Sequence, residues 1–225
     1  MNCTVVVPAA GRGERFGAAI PKQYALLKGE PIIARTIERF LRSGLVNRIV
    51  VAISENDSHW VGLVEDRRWE GVESVVGGET RQASVMNAMR IVDEGLVAVH
   101  DAVRPFFRLD TFRTLLEIAD QHGAAIPVVA VTDTLHRVEG DEIISTLDRE
   151  SIVRAQTPQC FQAEILASVV ERAWHEGVLS TDEAALVASY GISVRTVPGE
   201  SGNLKITTAA DLEWAEKNYD QWSRP

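Results

Sequence analysis

The sequence predicts an α/β fold built as a single domain, with a mostly parallel sheet covered by helices on both faces and a β-hairpin projecting from it. Three observations lead there. Short β-branched apolar runs recur along the chain, amphipathic stretches of helical period lie between them, and in one place the alternation gives way to two extended segments around a polar turn. Strands alternating with helices imply a parallel sheet whose strands are buried on both faces. With 225 residues, of which 45% are hydrophobic and 24% charged, the chain can fill a core and solvate its surface, so disorder is not expected.

The elements follow in order. Thr4 to Val7 reads as a first strand that ends at Pro8 and opens into a glycine-bearing loop. Further strands are expected at Ile49 to Ile53, Val72 to Val76, Leu96 to Val99 and Ala124 to Val129. Helices are expected at Ile32 to Leu41, Arg81 to Val92 and Leu109 to His122. Thr132 to Leu147, with Glu139, Gly140 and Asp141 at its turn, reads as the hairpin. It is either a surface decoration or an arm that embraces a second subunit, and the residues alone leave both readings open. Helices from Ala163 to Glu176 and Asp182 to Ser189, a strand from Ile192 to Val197 and a helix from Ala209 to about Asn218 complete the chain. There is no internal repeat, and the expectation is that no second domain follows the last helix.

A net charge of -9 argues against a nucleic-acid binder, which needs a broad basic surface to displace counterions. A small anionic ligand would have to be held by a local cluster of Arg and Lys. Cys3 and Cys160 are far apart and form no CxxC, so neither a zinc site nor a disulfide framework is predicted. Met1 to Ala10 carries no basic leader, and its apolar run is too short to span a bilayer. The expected location is the cytoplasm, with no membrane attachment.

In an open parallel sheet, ligands bind beyond the carboxyl ends of the strands, so the residues after each strand are the ones to inspect. Pro8, Ala9, Ala10, Gly11 and Gly13 follow the first strand. Their small side chains would let backbone amides approach a phosphate, although a strand-terminating turn would use the same residues. The loop is neither GxGxxG, since Phe16 stands at the third glycine position, nor GxxxxGK[ST]. Arg15 and Lys22 could project over one phosphate chain or be ordinary solvated cations. Gly78, Arg81 and Ser84 lie where the third strand meets a helix, a place that suits an anion or a base edge and equally a plain capped turn. Asp101 follows the fourth strand and is a candidate Mg²⁺ ligand or a turn cap. His100 has no identifiable partner and reads as core support.

Seven motifs occur in a fixed order: Pro8-Ala9-Ala10-Gly11-x-Gly13-x-Arg15, Pro21-Lys22-Gln23-Tyr24, Gly77-Gly78-x-x-Arg81-x-x-Ser84, His100-Asp101-Ala102-Val103-Arg104-Pro105, Thr157-Pro158-Gln159, Thr181-Asp182-Glu183 and Asn203-Leu204-Lys205. On these the chain resembles, nearly end to end, the 2-C-methyl-D-erythritol 4-phosphate cytidylyltransferases of the non-mevalonate isoprenoid pathway. Phe16 departs from the Met that many members carry, a difference expected to affect packing more than chemistry.

The resemblance implies a Rossmann-like nucleotidyltransferase domain that transfers CMP from CTP to the acceptor, giving 4-diphosphocytidyl-2-C-methyl-D-erythritol and pyrophosphate. It implies catalytic roles for Arg15, Lys22 and Lys205, and a nucleotide site formed by Pro8, Ala9, Ala10, Gly11, Gly13, Gly78, Arg81, Ser84, Asp101 and Ala102. Arg104, Thr134, Arg149, Thr157 and Thr181 would surround the acceptor, and Asp101 would ligate Mg²⁺ or another divalent cation. It further implies a homodimer in which the arm at about 132–150 crosses over, so that Thr134 and Arg149 serve the neighbour's site. Two alternatives stay open: a cytidylyltransferase using ribitol 5-phosphate, and a nucleotide-binding regulatory domain without catalysis. The presence of Lys22, Asp101 and Lys205 together favours an enzyme, and the displaced third glycine disfavours a dinucleotide oxidoreductase.

Overall fold

A computed structural model describes residues 2–11 and 20–223. The first half runs β1 (Cys3–Pro8), a short ladder of β2 (Leu26–Leu27) and β3 (Glu30–Pro31), α1 (Ile32–Arg42), β4 (Arg48–Ile53), α2 (Ser58–Arg67), β5 (Val72–Val76), α3 (Arg81–Met89) and β6 (Leu96–Val99). The second half runs α4 (Leu109–His122), β7 (Ala124–Ala130), β8 (Leu135–Glu139), β9 (Glu142–Leu147), β10 (Val153–Ala155), β11 (Gln159–Gln162), α5 (Ala163–Glu176), α6 (Glu183–Ser189), β12 (Arg195–Pro198) and α7 (Ala209–Trp222).

The main sheet has the order β10-β7-β11-β6-β1-β4-β5, with β12 paired to β7. β1 lies between β4 and β6 and is parallel to both, with Val6 opposite Val50 on one side and Val99 on the other. Central strands covered on both faces favour apolar and β-branched residues at every position, which is why Thr4 to Val7 reads as an unbroken run. Alternate residues still serve opposite faces. Cys3, Val5 and Val7 join the core beneath α1 and α4 with Phe40, Phe107, Phe112 and Leu115, whereas Val6 joins Val85, Leu166, Val170 and Leu186 of α3, α5 and α6. Each fully buried Leu, Val or Phe contributes about 1.5–3 kcal/mol relative to an exposed one. A third cluster seats α7 against the edge, where Phe106 and Ile206 meet Trp214, Tyr219 and Trp222.

Several boundaries differ from the sequence expectation. α2 has no counterpart in it, because its buried face is only Trp60 and Leu63, too narrow a stripe to give a helical period. β10 and β11 were not foreseen either. They are short and antiparallel to β7, and β11 opens and closes on glutamine, so its polar ends conceal a strand whose middle is buried. α3 stops at Met89, short of Val92, and α7 continues past Asn218 to Trp222. Ile192 and Val194 pack against the core ahead of β12, which begins only at Arg195.

β8 and β9 form the expected hairpin, paired from Leu135 opposite Leu147 to Glu139 opposite Glu142, with an irregularity between Arg137 and Val138. It makes a separate two-stranded sheet. Val138, Ile143 and Ile144 on it are 60%, 63% and 53% exposed, so the arm carries an uncovered apolar surface away from the core.

Candidate active site

The carboxyl ends of β1, β5 and β6 converge on a cavity of about 200 Å³ lined by Pro8, Ala9, Ala10, Gly11, Lys22, Gln23, Gly78, Glu79, Thr80, Arg81, Ser84, Asp101, Ala102, Val103 and Lys205. After β1 the backbone is pinned from behind. The buried Gln23 side chain donates to Ala9 O at 2.7 Å, and Ser54 Oγ donates to Ala10 O at 3.0 Å. In a trans peptide the next N–H points opposite to the carbonyl. The amides of Ala10 and Gly11 therefore face away from these two side chains, and neither has a hydrogen-bond partner among the described residues.

On the β5 side, Gly77 and Gly78 are required by space. A Cβ on Gly77 would lie 2.6 Å from Ala10 Cβ and 2.8 Å from Ser84 Oγ, and one on Gly78 would lie 2.4 Å from Ala83 Cβ. Thr80 caps α3 through Ala83 N. Ser84 Oγ accepts from Gly78 N at 3.1 Å and donates to Thr80 O at 2.9 Å. Ser84 is thus a brace that holds the glycine turn closed on the helix.

Asp101, at the end of β6, is the electrostatic centre. Its Oδ2 lies 3.0 Å from Arg104 Nε and 3.1 Å from Lys205 Nζ, and its Oδ1 lies 3.4 Å from Arg81 Nε. Burial alone would raise the carboxyl's pKa, but Arg81, Lys205 and Arg104 overcome it and hold the group well below the usual carboxylate range. Arg81 also pairs with the buried Glu183, at 2.7 and 2.8 Å from Nη1 to the two carboxylate oxygens.

Behind Asp101 the polar network is fully determined. His100 is buried, and desolvation lowers its pKa to about 3, so the ring is neutral. Its Nε2 lies 2.9 Å from Arg104 O, and a carbonyl can only accept, so Nε2 carries the proton. Nδ1 is then an acceptor for the Thr157 hydroxyl at 3.0 Å, and that same oxygen accepts from Asp101 N at 3.1 Å. Arg104 is fixed as well, with Nη1 donating to Asn203 O at 2.7 Å while Asn203 Nδ2 donates to Thr157 O at 2.8 Å. The Lys205 loop is tied in this way to the Asp101 turn.

The family model described as 2-C-methyl-D-erythritol 4-phosphate cytidylyltransferase matches residues 3–220. The chain belongs to this family. The enzyme of that name from Solibacter usitatus is 39% identical over 96% of this chain and 94% of its own length. The one from Geobacillus kaustophilus is also 39% identical, over 96% of each chain. Among solved structures, that of the Francisella tularensis 2-C-methyl-D-erythritol 4-phosphate cytidylyltransferase superposes with a TM-score of 0.83 at 34% identity, covering 96% of this chain and 99% of the other.

Within this family fold, the nucleotide-side residues expected from the sequence come together: Pro8 to Gly11, Gly78, Arg81, Ser84, Asp101 and Ala102 share the cavity with Lys22 and Lys205. Gly13 and Arg15 lie outside the described residues. The acceptor-side residues divide. Arg104 reaches Asp101 from below, and Thr157 is buried with its hydroxyl proton already given to His100. Thr181 is exposed, and the helix cap is Asp182, which accepts from Ala185 N. Thr134 is exposed at the start of the arm, and Arg149 donates to Thr132 O at its base. Neither lines the cavity of its own chain. Sequence reasoning gave no role to Gln23, Gln159, Glu183 or Asn203. All four lie inside quoted motifs, so their presence was visible but their burial was not.

Proposed function

We propose that this chain transfers CMP from CTP to 2-C-methyl-D-erythritol 4-phosphate, releasing pyrophosphate. The observation that carries the reading is the gathering of Arg81, Lys205 and Lys22 on one glycine-lined cavity, with Arg104 paired to its Asp101, in a chain whose net charge is -9. Cations concentrated against the overall charge suit a triphosphate and a second phosphate brought together.

A phosphate monoester has a second pKa near 6, so the acceptor is largely dianionic at neutral pH and needs no general base. One of its oxygens forms a bond to the α-phosphorus, and the bond from that phosphorus to the bridging oxygen breaks. The electron pair leaves on pyrophosphate. The obstacle is repulsion between two anions, and positioned cations offset it as charge develops. Lys22 and Lys205 fill this role, and the family resemblance adds Arg15 to it. The amides of Ala10 and Gly11 and the outer edge of Arg81 bind the nucleotide, and the Gly77–Gly78 turn leaves a narrow slot that favours a pyrimidine.

Asp101 is the residue that would hold Mg²⁺. Among the described residues no group of three His, Cys, Asp or Glu could form a protein-only metal cage, and Asp101 is surrounded by cations. This donor set fits a metal that arrives on the triphosphate, with phosphate oxygens and water as its remaining ligands. Bound there, Mg²⁺ supplies charge neutralisation of the phosphate oxygens.

The position of Thr134 and Arg149 away from their own cavity, together with the exposed Val138, Ile143 and Ile144, supports a homodimer in which each arm completes the partner's acceptor pocket. A cytoplasmic location agrees with two buried free thiols, Cys3 and Cys160, and no helix among the described residues is long and apolar enough to cross a membrane. The test of the activity is pyrophosphate release from CTP and Mg²⁺ with methylerythritol 4-phosphate and, separately, ribitol 5-phosphate. Release with the first alone supports the proposal. Release with the second alone replaces the acceptor, and release with neither removes the activity.

A further inference from the structure

We infer that Glu183 is a positioning residue for nucleotide binding, acting through Arg81. Glu183 does not line the cavity, whereas Arg81 does. The Glu183 side chain is 3% exposed, and both its oxygens face a single nitrogen of Arg81, Nη1. The guanidinium is therefore divided between two carboxylates, Nη1 to Glu183 and Nε to Asp101. Nη2 has no hydrogen-bond partner among the described residues. It is the edge left for a ligand.

The division has a purpose that the geometry makes plain. Guanidinium and carboxylate prefer a bidentate fork, and Arg81 without a second acid would close on Asp101 with two nitrogens. That would draw Asp101 from Arg104 and Lys205, which share its Oδ2, and would turn the free edge of Arg81 away from the cavity. Glu183 prevents this by holding the far end.

Glu183 is itself rigidly mounted. It is the first residue of α6, whose cap Asp182 accepts from Ala185 N and from Gln159 Nε2, and Gln159 Oε1 accepts from Ala184 N. Gln82, next to Arg81 on α3, donates to Val178 O and accepts from Ser180 N. The start of α6 is thereby tied both to the sheet and to the helix that carries Arg81. Burial raises the Glu183 carboxyl's pKa, and the Arg81 guanidinium offsets only part of that rise, so the carboxylate depends on Arg81 for the charge it keeps.

This inference rests on the cytidylyltransferase reading, so the experiment first measures CTP binding to the full-length wild type by calorimetry and its steady-state kinetics. Failure of the wild type to bind CTP would overturn both. With binding established, E183Q keeps the shape and an acceptor but removes the charge. The expected result is a rise in Kd and KM for CTP on the order of tenfold, the lower range seen when an outer partner orienting a binding group is lost, with the acceptor KM within about twofold. E183D keeps the charge with a shorter reach and is expected to fall between, and it decides the matter if E183Q does not fold. In an R81Q background the E183Q effect on CTP should vanish, because the route runs through Arg81. An unchanged CTP KM in a folded Glu183 variant, or an undiminished penalty in the R81Q background, would overturn the positioning role.

Discussion

The Thr157 hydroxyl lies 3.0 Å from His100 Nδ1 and gives its proton to that ring while accepting the Asp101 amide at 3.1 Å. The direction follows from the Arg104 carbonyl on the far side of the imidazole, which can only accept. The turn from Asp101 to Arg104 is thus closed on itself by two side chains, His100 and Thr157.

Replacing Thr157 by Val removes the hydroxyl with little change of volume and leaves two buried polar groups unpaired, Asp101 N and His100 Nδ1. A buried group left without its partner costs about 1–3 kcal/mol. The two groups together cost about 2–6 kcal/mol, and for a chain of this size each kcal/mol moves Tm by about 2–4 °C, so T157V should melt at least about 4 °C below wild type by calorimetry. Because the displaced turn carries Asp101, the CTP KM should rise with it, and T157S should restore both. If Thr157 contacts only the acceptor, T157V will change the acceptor KM alone.

His100 gives the protein a defined acid sensitivity. Its folded pKa is about 3, set chiefly by burial, against an ordinary value of 6.5. The unfolded state therefore binds a proton below pH 6.5 that the native state refuses. Stability is complete above that pH and declines as pH falls towards 3. At pH 5 the loss from this residue is about 2 kcal/mol, from 1.36 kcal/mol per unit over 1.5 units. Asp101, whose folded pKa is also depressed, adds a further loss in the same direction once pH falls below 3.8. Urea unfolding at pH 7 and pH 5 should show the decline in wild type, and H100N should lose about 2 kcal/mol less between the two pH values. An equal decline in both proteins would assign the sensitivity to other groups.

The parts of this architecture that the sequence discloses are those where one physical demand dominates. β1, β4 and β6 are buried on both faces over most of their length, so apart from Thr4 and Arg48 they are apolar and could be read directly. The cavity-lining residues after β1, β5 and β6 were legible because small residues and charges there break that pattern. β11 was not, since Gln159 and Gln162 look like loop residues until their pairing with Val99 and Leu96 is known. Glu183 was hidden for a related reason. An acid at a helix start is ordinary, and only the approach of α3 turns it into the buried partner of Arg81. Long-range contacts of this kind leave no local signature.

Lys22 shares the cavity with Lys205 and Asp101, and its proposed part is to oppose charge on the α-phosphate and the departing pyrophosphate. K22A should lower kcat by roughly 10² to 10³, the loss usual for one preorganised charge-stabilising donor. A folded K22A enzyme with near-wild-type turnover would remove Lys22 from the chemistry.

The arm offers a test that separates shared sites from self-contained ones. Arg149 lies at its base, donating to Thr132 O, and is absent from the cavity that contains Lys22. If each arm completes the partner's pocket, one site takes Lys22 from one subunit and Arg149 from the other. R149A and K22A should each be nearly inactive. Mixed and allowed to exchange subunits, half the dimers are heterodimers, and each has one site bearing both substitutions and one bearing neither. Activity should therefore recover to about a quarter of wild type. Self-contained sites would give no recovery, because every site would then keep one lesion. A charge on the exposed apolar strip, as in I143K, should dissociate the dimer in sedimentation and abolish the recovery, since the arm could no longer reach across.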